Sequence, residues 1–206
     1  MLKKIRTKTN WIKEHLSDEY VQKAQHDGYR SRAAYKFLQI HEQYKLIKSN
    51  HRVVDLGSAP GSWSQAISSL LSDEGKIYAI DLLPMDPIKK TTFIQGDFRD
   101  EAILHDLEKI IENKPVDLVI SDMAPNISGN KVRDQAMIND LNELTLEFAQ
   151  DWLKPKGNFL VKTFMGSGFD EFVKKLKNHF SKVIIKKPDS SRDRSAELFL
   201  IGLEKL

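Results

Sequence analysis

The chain has 206 residues, 40% of them hydrophobic and 30% charged, which suits one globular domain with a sizeable core. It contains no cysteine, and this excludes disulfides, thiolate metal sites and a cysteine nucleophile. No apolar run reaches the roughly 18 residues of a membrane span, and no apolar signal segment follows the basic start, so we expect a cytoplasmic protein.

Charge is distributed unevenly along the chain, although the net charge is only +3. Residues 1–50 carry 11 Lys and Arg against 5 Asp and Glu, residues 51–150 carry 9 against 17, and residues 151–206 carry 12 against 7. Two basic ends around an acidic middle favour a polyanionic partner, with nucleic acid as the first candidate. Lysines that only solvate helix faces would produce the same asymmetry, so both explanations stay open here.

Strand and helix patterns alternate along most of the chain. We treat residues 1–30 as a basic N-terminal arm, and residues 31–47 have the spacing of an amphipathic helix with Ser31 as its N-cap. Short apolar or β-branched runs predict seven strands, at residues 52–57, 76–81, 92–97, 117–122, 158–164, 182–187 and 196–203. Four more helices are predicted between them, at residues 61–72, 100–112, 136–153 and 168–179.

This order of elements predicts an α/β fold. Strands that alternate with helices are typical of a parallel sheet covered on both faces. The last two strands are separated only by residues 188–195, which is too short for a crossover helix, so we expect an antiparallel hairpin there. The sequence therefore predicts a single domain at residues 31–206, with a doubly wound, mostly parallel sheet that ends in one antiparallel strand.

The segment VVDLGSAPGSW follows the pattern of a first strand, a glycine loop and a helix. Gly57 and Gly61 allow the backbone to turn sharply and to approach a ligand closely, and Asp55 places a carboxyl group in the strand before them. A dinucleotide site would use the spacing G-x-G-x-x-G, which is absent here, and Pro60 stands where phosphate-binding amides would be useful. An S-adenosylmethionine site needs only a glycine loop and an acid for the ribose hydroxyls, so the pattern favours that cofactor.

Acidic residues follow the predicted strands at their carboxyl ends, which converge on one crevice in an open α/β sheet. Asp81 closes the second strand and could hold a ribose. Asp97 follows the third strand and could accept a hydrogen bond from an adenine amino group, with Phe98 or Trp63 packing nearby. Asp122 follows the fourth strand and would lie next to a reactive methyl group. A helix N-cap would explain any one of these acids, but it explains the series less well.

Lys162 lies within the strand predicted at residues 158–164, and a lysine is almost never fully buried without a partner. Methylation of a sugar hydroxyl needs a base within hydrogen-bond reach, and a lysine serves as one only when it is uncharged. Lys36 is a candidate neighbour with a positive charge, while Glu197 and Asp122 could position the ammonium and the hydroxyl. The alternative for Lys162 is an edge lysine whose amine reaches solvent.

Several segments together resemble one known family. They occur in order between about residues 10 and 204 and read DGYRSRAAYKFLQI, VVDLGSAPGSWSQ, DLLPMDPI, FIQGDFRD, SDMAPNISG, FLVKTFMGSGFDEF and KPDSSRDRSAELFLIG. This chain resembles the FtsJ/RlmE (RrmJ) family of ribosomal RNA 2′-O-ribose methyltransferases. The resemblance implies a Rossmann-like class I S-adenosylmethionine-dependent methyltransferase fold. The resemblance implies that the catalytic residues are Lys36, Asp122, Lys162 and Glu197, and that Lys162 accepts the proton. It also implies that the cofactor is contacted by Gly61, Trp63, Asp81, Asp97 and Asp122, with the Gly57 loop adjacent.

The resemblance also implies a substrate, a uridine ribose in the 23S RNA of the assembled large (50S) ribosomal subunit. Ser58 and Ser62 stand where many relatives have Ala and Gly. Two alternatives stay open: a transfer RNA 2′-O-ribose methyltransferase, which would share the same four catalytic positions, and a non-catalytic RNA-binding factor in ribosome assembly. A pure binding protein has no need for a lysine inside a strand, which argues against the last.

Basic residues near both ends predict a track for RNA phosphates. The candidates are Arg6, Lys8, Lys13, Arg30, Arg32, Arg192 and Arg194. The six histidines are scattered without metal-ligand spacing, so we expect no metal. We also expect no membrane partner and a monomeric protein.

Overall fold

The computed structural model of the protein describes residues 17–192 and 195–206. Four of the residues predicted to contact RNA lie outside these ranges, namely Arg6, Lys8, Lys13 and Arg194. No helix within the described ranges combines the length and the apolar character that crossing a bilayer requires.

A seven-stranded sheet forms the centre of the fold, as the sequence predicts. Its strands are β1 (Arg52–Leu56), β2 (Lys76–Asp81), β3 (Thr91–Gln95), β4 (Val116–Ser121), β5 (Leu153–Phe164), β6 (Phe180–Lys186) and β7 (Glu197–Lys205). They lie in the order β3-β2-β1-β4-β5-β7-β6, and β7 runs opposite to the other six. The predicted hairpin of the last two strands is confirmed. However, β7 lies inside the sheet between β5 and β6, so the antiparallel strand is not at the end of the sheet.

The described residues form six helices. They are α1 (Glu19–His26), α2 (Ala33–Tyr44), α3 (Ser62–Leu70), α4 (Glu101–Ile110), α5 (Lys131–Trp152) and α6 (Phe169–His179). Helix α5 begins five residues before the predicted start because the Asn130 side chain accepts hydrogen bonds from the amides of Val132 and Arg133. Helix α2 begins at Ala33 and ends at Tyr44, before the predicted end. Its N-cap is Arg32 and not the predicted Ser31, although the Ala33 amide donates to Ser31 Oγ.

Helix α1 lies in the segment that we treated as an arm. Asp18 caps it by accepting hydrogen bonds from the amides of Tyr20 and Val21, at 3.1 and 3.3 Å. Val21 and Ala24 are buried, and the ring of Tyr20 lies 5.5 Å from that of Tyr35 in α2. The described part of the arm therefore packs against the domain, while the division of the chain near residue 30 stays a prediction.

Two apolar clusters cover the two faces of the sheet. One contains Phe37 of α2 and Ile67 of α3 together with Val53 of β1. The other contains Leu107 of α4 and Val54 of β1, along with buried side chains of α5 and α6. Because successive strand residues point to opposite faces, β1 supplies side chains to both clusters. The sheet with a helical layer on each face forms three packed layers, which hold in place the edge at which the strands end.

Candidate active site

The carboxyl ends of β1, β2 and β4 meet at one edge of the sheet. Leu56, the last residue of β1, is in register with Ser121 of β4 and with the residue that precedes Asp81 in β2. The next residue along each of these three strand ends is therefore a neighbour of the other two across this edge. These residues are Gly57, Asp81 and Asp122. The convergence expected for strand-end acids is present for this part of the sheet.

The glycine loop between β1 and α3 depends on two residues that have no side chain. Gly57 has a φ angle of 76°, and a Cβ there would lie 2.5 Å from Met123 Cγ and 2.9 Å from the Met123 amide nitrogen. Gly61 has a φ angle of 102°, and a Cβ there would lie 2.6 Å from Ile88 Cδ1 and 2.8 Å from Met85 Sδ. The loop thus passes two neighbouring segments at a distance that only glycine allows, and α3 starts directly after it.

A pocket opens beside this loop, and Asp55, Trp63 and Asp122 are among the residues that line it. Asp55 is fully buried and accepts a hydrogen bond from Ser64 Oγ at 2.6 Å, while its other oxygen, Oδ1, has no hydrogen-bond partner among the described residues. Burial raises the pKa of Asp55 to about 7, and the nearby carboxylates of Asp122 and Asp81 act in the same direction. The pocket therefore contains a buried acceptor that still lacks a donor.

Lys162 lies next to Asp122, as the predicted strand order implies. Val161 of β5 is in register with Ser121 of β4, so the two following residues stand side by side. Lys162 Nζ lies 2.8 Å from Asp122 Oδ1 and also donates to the Asp122 backbone oxygen. The Lys162 side chain is only 11% exposed. The alternative of an edge lysine that reaches solvent is wrong, because β7 covers this side of β5.

Strand β7 and helix α2 complete a group of four charged residues. Lys162 is in register with Phe199, and Phe164 is in register with Glu197, so Lys162 and Glu197 lie diagonally on the same face of the sheet. Lys36 reaches this face from α2, with its Nζ 2.5 Å from Glu197 Oε1 and 5.9 Å from the Phe199 ring centroid. The fold thus brings together Lys36, Asp122, Lys162 and Glu197, which are far apart in sequence. We call them the tetrad.

The two ion pairs of the tetrad influence each other. Burial alone would raise the pKa of Glu197, but the charge and hydrogen bond of Lys36 outweigh it. A hydrogen bond from Ser191 Oγ at 2.9 Å and the charge of Lys162 lower the pKa of Glu197 further, so this pKa is below the ordinary range for a glutamate. Glu197 is therefore held ionised by both lysines.

A protein-family model covers most of this chain. A family model described as FtsJ-like methyltransferase matches residues 29–205. The chain belongs to the FtsJ-like methyltransferase family.

Individual relatives of this methyltransferase extend the match over nearly its whole length. A protein from Methylobacillus flagellatus named Ribosomal RNA large subunit methyltransferase E is 55% identical over 204 residues, which cover 99% of both chains. A Chromobacterium violaceum protein of the same name is 51% identical over 96% of both chains. A crystal structure described as a ribosomal RNA methyltransferase from Plasmodium falciparum has a TM-score of 0.77 at 32% identity, covering 86% of this chain and 99% of that one.

A more distant structure shares the fold alone. It is the fibrillarin of Aeropyrum pernix, crystallised with S-adenosylmethionine, which has a TM-score of 0.58 at 16% identity. It covers 85% of this chain and 75% of that one. The Rossmann-like methyltransferase fold predicted from the sequence is confirmed.

The pocket residues of the methyltransferase fit S-adenosylmethionine. That cofactor carries hydroxyl and amino donors and a sulfonium charge, and it carries no phosphate. The pocket offers matching acceptors in the unpartnered oxygen of Asp55 and the carboxylate of Asp122, and the carboxylate of Asp81 lies at the same edge of the sheet. Asp81 is held in place by the amides of Ala59 and Leu83, which donate to its two oxygens at 2.9 and 2.8 Å. This donor and acceptor chemistry suits an amino acid joined to a nucleoside.

The remaining predicted cofactor residues occupy different surroundings. Trp63 lines the pocket but is almost fully buried, and its Nε1 donates to the Ala33 oxygen at 2.8 Å. Phe98 packs into the apolar core with only 8% exposure. Asp97 accepts from Arg99 Nε and Nη2 at 3.0 and 2.6 Å, and this hydrogen bonding lowers the pKa of Asp97. A contact of Asp97 with adenine would compete with Arg99, and it stays a prediction.

Three arginines predicted to contact RNA make intramolecular contacts in this structure. Arg32 pairs with Asp18 and donates to the Ser190 oxygen, and Arg192 Nε lies 3.1 Å from the same Asp18 carboxylate. Arg30 donates to three backbone carbonyls next to the glycine loop. Their proposed phosphate contacts stay predictions, and any such contact would have to compete with these partners.

Sequence reasoning missed two polar residues that support the site. Ser191 donates to Glu197, although only the hairpin connection and its two arginines stand out in residues 188–195, and Ser64 donates to the buried Asp55. A serine in a loop or on a helix has no distinguishing pattern. The one available signal for Ser64 is its position in the helix that follows the glycine loop.

Proposed function

We propose that this protein methylates the 2′-hydroxyl of a uridine ribose in 23S ribosomal RNA, on the assembled 50S subunit, as a cytoplasmic monomer. Its cofactor is S-adenosylmethionine, and its substrate class is the RNA of the large ribosomal subunit. Family membership and the names of full-length relatives support the cofactor and the substrate class. The single observation that supports a hydroxyl acceptor is the tetrad next to the glycine-loop pocket.

The chemistry of the acceptor explains why two lysines are needed there. When bound, S-adenosylmethionine supplies an electrophilic methyl group on a sulfonium, so the protein has to activate the acceptor. A ribose hydroxyl is a weak acid, and its proton must be removed as the new O–C bond forms. An uncharged amine acceptor is nucleophilic enough to react before it loses a proton, and C5 methylation of a base requires a cysteine nucleophile, which this chain lacks. The tetrad therefore fits an O-methyltransferase.

Each residue of the tetrad has a proposed role. Lys162 would first release to solvent the proton of its ion pair with Asp122. Its uncharged Nζ would then take the proton of the 2′-hydroxyl, while the hydroxyl oxygen would bond to the methyl carbon and that carbon would separate from the sulfonium sulfur. Asp122 orients that amine before the reaction and stabilises the ammonium afterwards, from a distance of 2.8 Å. Lys36 would face the hydroxyl oxygen as a cation and stabilise the negative charge that develops on it. Glu197 holds Lys36 in place through their 2.5 Å contact.

The substrate can be tested by transfer of a labelled methyl group. The protein would be incubated with labelled S-adenosylmethionine and, separately, 50S subunits, protein-free 23S RNA and transfer RNA, followed by mapping of the modified nucleotide. We expect label on one uridine ribose, with 50S subunits as the best substrate. Label confined to transfer RNA, or label on a base, would contradict the proposal. Tight RNA binding without any transfer would indicate a binding factor in ribosome assembly.

A further inference from the structure

Arg30 joins two loops that belong to different parts of the chain. Its Nη1 donates to the backbone oxygen of Pro60 at 2.7 Å and to that of Asp86 at 2.9 Å. Its Nη2 donates to the backbone oxygen of Pro87 at 3.0 Å. Pro60 is part of the glycine loop, whereas Asp86 and Pro87 belong to the loop after β2, the strand that ends at the ribose-binding candidate Asp81. One guanidinium thus fixes both walls of the cofactor crevice relative to each other.

Neighbouring contacts hold the backbone of Arg30 in position. Its amide donates to Gln65 Oε1 at 2.9 Å, and Gln65 Nε2 donates in turn to the Gly28 oxygen at 2.7 Å. The hydroxyls of Ser31 and Ser62 are 2.7 Å apart. Side chains of the segment around Arg30 and of α3 therefore attach this segment to the beginning of α3. The backbone of Arg30 is held in place, and its guanidinium extends from there to the three carbonyls.

The approach of Arg30 to the glycine loop is unusually close. A Cβ at Gly61 would lie 2.7 Å from Arg30 Nη1, in addition to its contacts with Ile88 and Met85. Only a planar fork with several N–H groups can serve three carbonyls that face it from two directions, and a lysine ammonium lacks that geometry. The site is built for an arginine and for a glycine opposite it.

We propose that Arg30 is a positioning residue for the cofactor site, and that it is not primarily a phosphate contact as its charge alone predicts. It holds the glycine loop and the loop after β2 at the separation that S-adenosylmethionine requires. The same segment leads directly into α2, which carries Lys36, so the cofactor loop and one lysine of the tetrad share this anchor. The inference requires only that S-adenosylmethionine binds in this crevice, and it is independent of which RNA nucleotide is methylated.

The test compares cofactor binding with RNA binding in the same variants. S-Adenosylhomocysteine would be titrated by calorimetry into the wild type, Arg30→Ala, Arg30→Lys and the control Arg133→Ala, an exposed arginine on α5, all without RNA. We expect about a tenfold loss of affinity in both Arg30 variants, equivalent to roughly 1.4 kcal/mol, because the free protein must order the two loops on binding. The control should bind like the wild type, and RNA affinity should stay within about twofold in all variants.

The lysine variant makes the test decisive, because it keeps the positive charge and removes the fork. A phosphate contact would survive in Arg30→Lys. The proposal would therefore be overturned by two results together: cofactor affinity of Arg30→Lys that stays within twofold of the wild type, and loss of RNA affinity in Arg30→Ala. Hydrogen exchange of the ligand-free proteins provides a second measurement. We expect faster exchange in residues 57–62 and 84–88 of both Arg30 variants, and unchanged exchange there would count against the anchor. An unchanged melting temperature in Arg30→Lys would separate this local effect from global unfolding.

Discussion

The cofactor crevice and the tetrad are adjacent, yet they are built in opposite ways. In the crevice, Gly57 and Asp122 each follow directly after a parallel strand and Asp81 is the last residue of one, so the sheet alone brings them together. In the tetrad, Lys36 comes from a helix before the sheet and Glu197 from the antiparallel strand that enters last. The crevice is a property of strand ends, whereas the tetrad exists only when the whole domain has folded.

The two regions also use different interactions. Backbone groups shape the crevice. Its loops pass neighbouring segments so closely that only glycine fits, and backbone amides hold the carboxylate of Asp81. Charge pairs at 2.5 and 2.8 Å shape the tetrad, within a largely buried setting. Under the proposed roles, we therefore expect that binding of the methyl donor and activation of the acceptor can be impaired by separate mutations. Each of the following changes affects one region and leaves the other as its internal reference.

The largest effect should follow from removing the proposed base. Lys162→Ala should lower the single-turnover rate of methyl transfer by about 10²- to 10⁴-fold, the usual contribution of general base catalysis. Affinity for S-adenosylhomocysteine should stay within about twofold, because Lys162 is not among the residues that line the pocket. Lys182→Ala, an exposed lysine on β6, is the matched control and should transfer like the wild type. A rate for Lys162→Ala within tenfold of the wild type would rule out the assigned role.

The sequence predicts more of the crevice than of the tetrad, because the crevice is formed by strand ends and the tetrad by the folded domain as a whole. The glycine loop and the acids at 81 and 122 were predictable, because each pattern is local and parallel strands share one edge. The contact of Lys162 with Asp122 also followed from the assumed strand order. The contact of Lys36 with Glu197 did not follow from spacing, since it depends on how α2 crosses the sheet and on where β7 inserts. It was expected only from the family resemblance.

The contacts of arginines were the least predictable feature. Arg30 binds backbone carbonyls, which every residue possesses, so its partners leave no pattern in the sequence. Charge counting assigned it to RNA for lack of any other signal. Asp18 likewise read as a residue of a polar arm, while in the fold it contacts both Arg32 and Arg192.

Asp55 allows the crevice to be probed through pH. Its pKa is raised to about 7 in the folded protein, against about 3.9 for an ordinary aspartate, so the folded state binds this proton more tightly than the unfolded state. The stability that this proton contributes is present below about pH 4 and is lost as the pH rises to about 7. In Asp55→Asn that loss should disappear. The free energy of unfolding of Asp55→Asn minus that of the wild type should therefore grow with pH, by a few kcal/mol at most.

Urea unfolding at several pH values between 4 and 8 would measure this difference. Asp73→Asn, which removes an exposed carboxylate, controls for the general change in net charge. Curves for the wild type and Asp55→Asn that stay parallel across the whole range would show that Asp55 does not retain its proton in the fold.

A smaller effect is expected from crowding the glycine loop. Gly57→Ala should weaken S-adenosylhomocysteine binding about tenfold or more, because the new methyl group would meet the Met123 backbone and push the loop into the crevice. Gly129→Ala is a matched control, since Gly129 also has a positive φ angle, but no atom of the described residues lies within 4 Å of the position that its methyl group would take. Both variants share the backbone strain, so only crowding distinguishes them. Equal cofactor affinities in the two variants, measured by calorimetry, would contradict the close-approach argument.

The smallest effect should come from the support of the tetrad. Ser191→Ala removes the 2.9 Å hydrogen bond to Glu197 Oε1, a contact that lowers the pKa of Glu197. The pKa of Glu197 should therefore rise, and an NMR titration of its side-chain carboxyl would measure the change. Because Lys36 still holds the carboxylate, the rate of methyl transfer should fall by no more than about fivefold, equivalent to roughly 1 kcal/mol. Ser181→Ala on β6 controls for loss of a surface hydroxyl, and a titration of Glu197 that coincides with the wild type would show that Lys36 alone sets its charge.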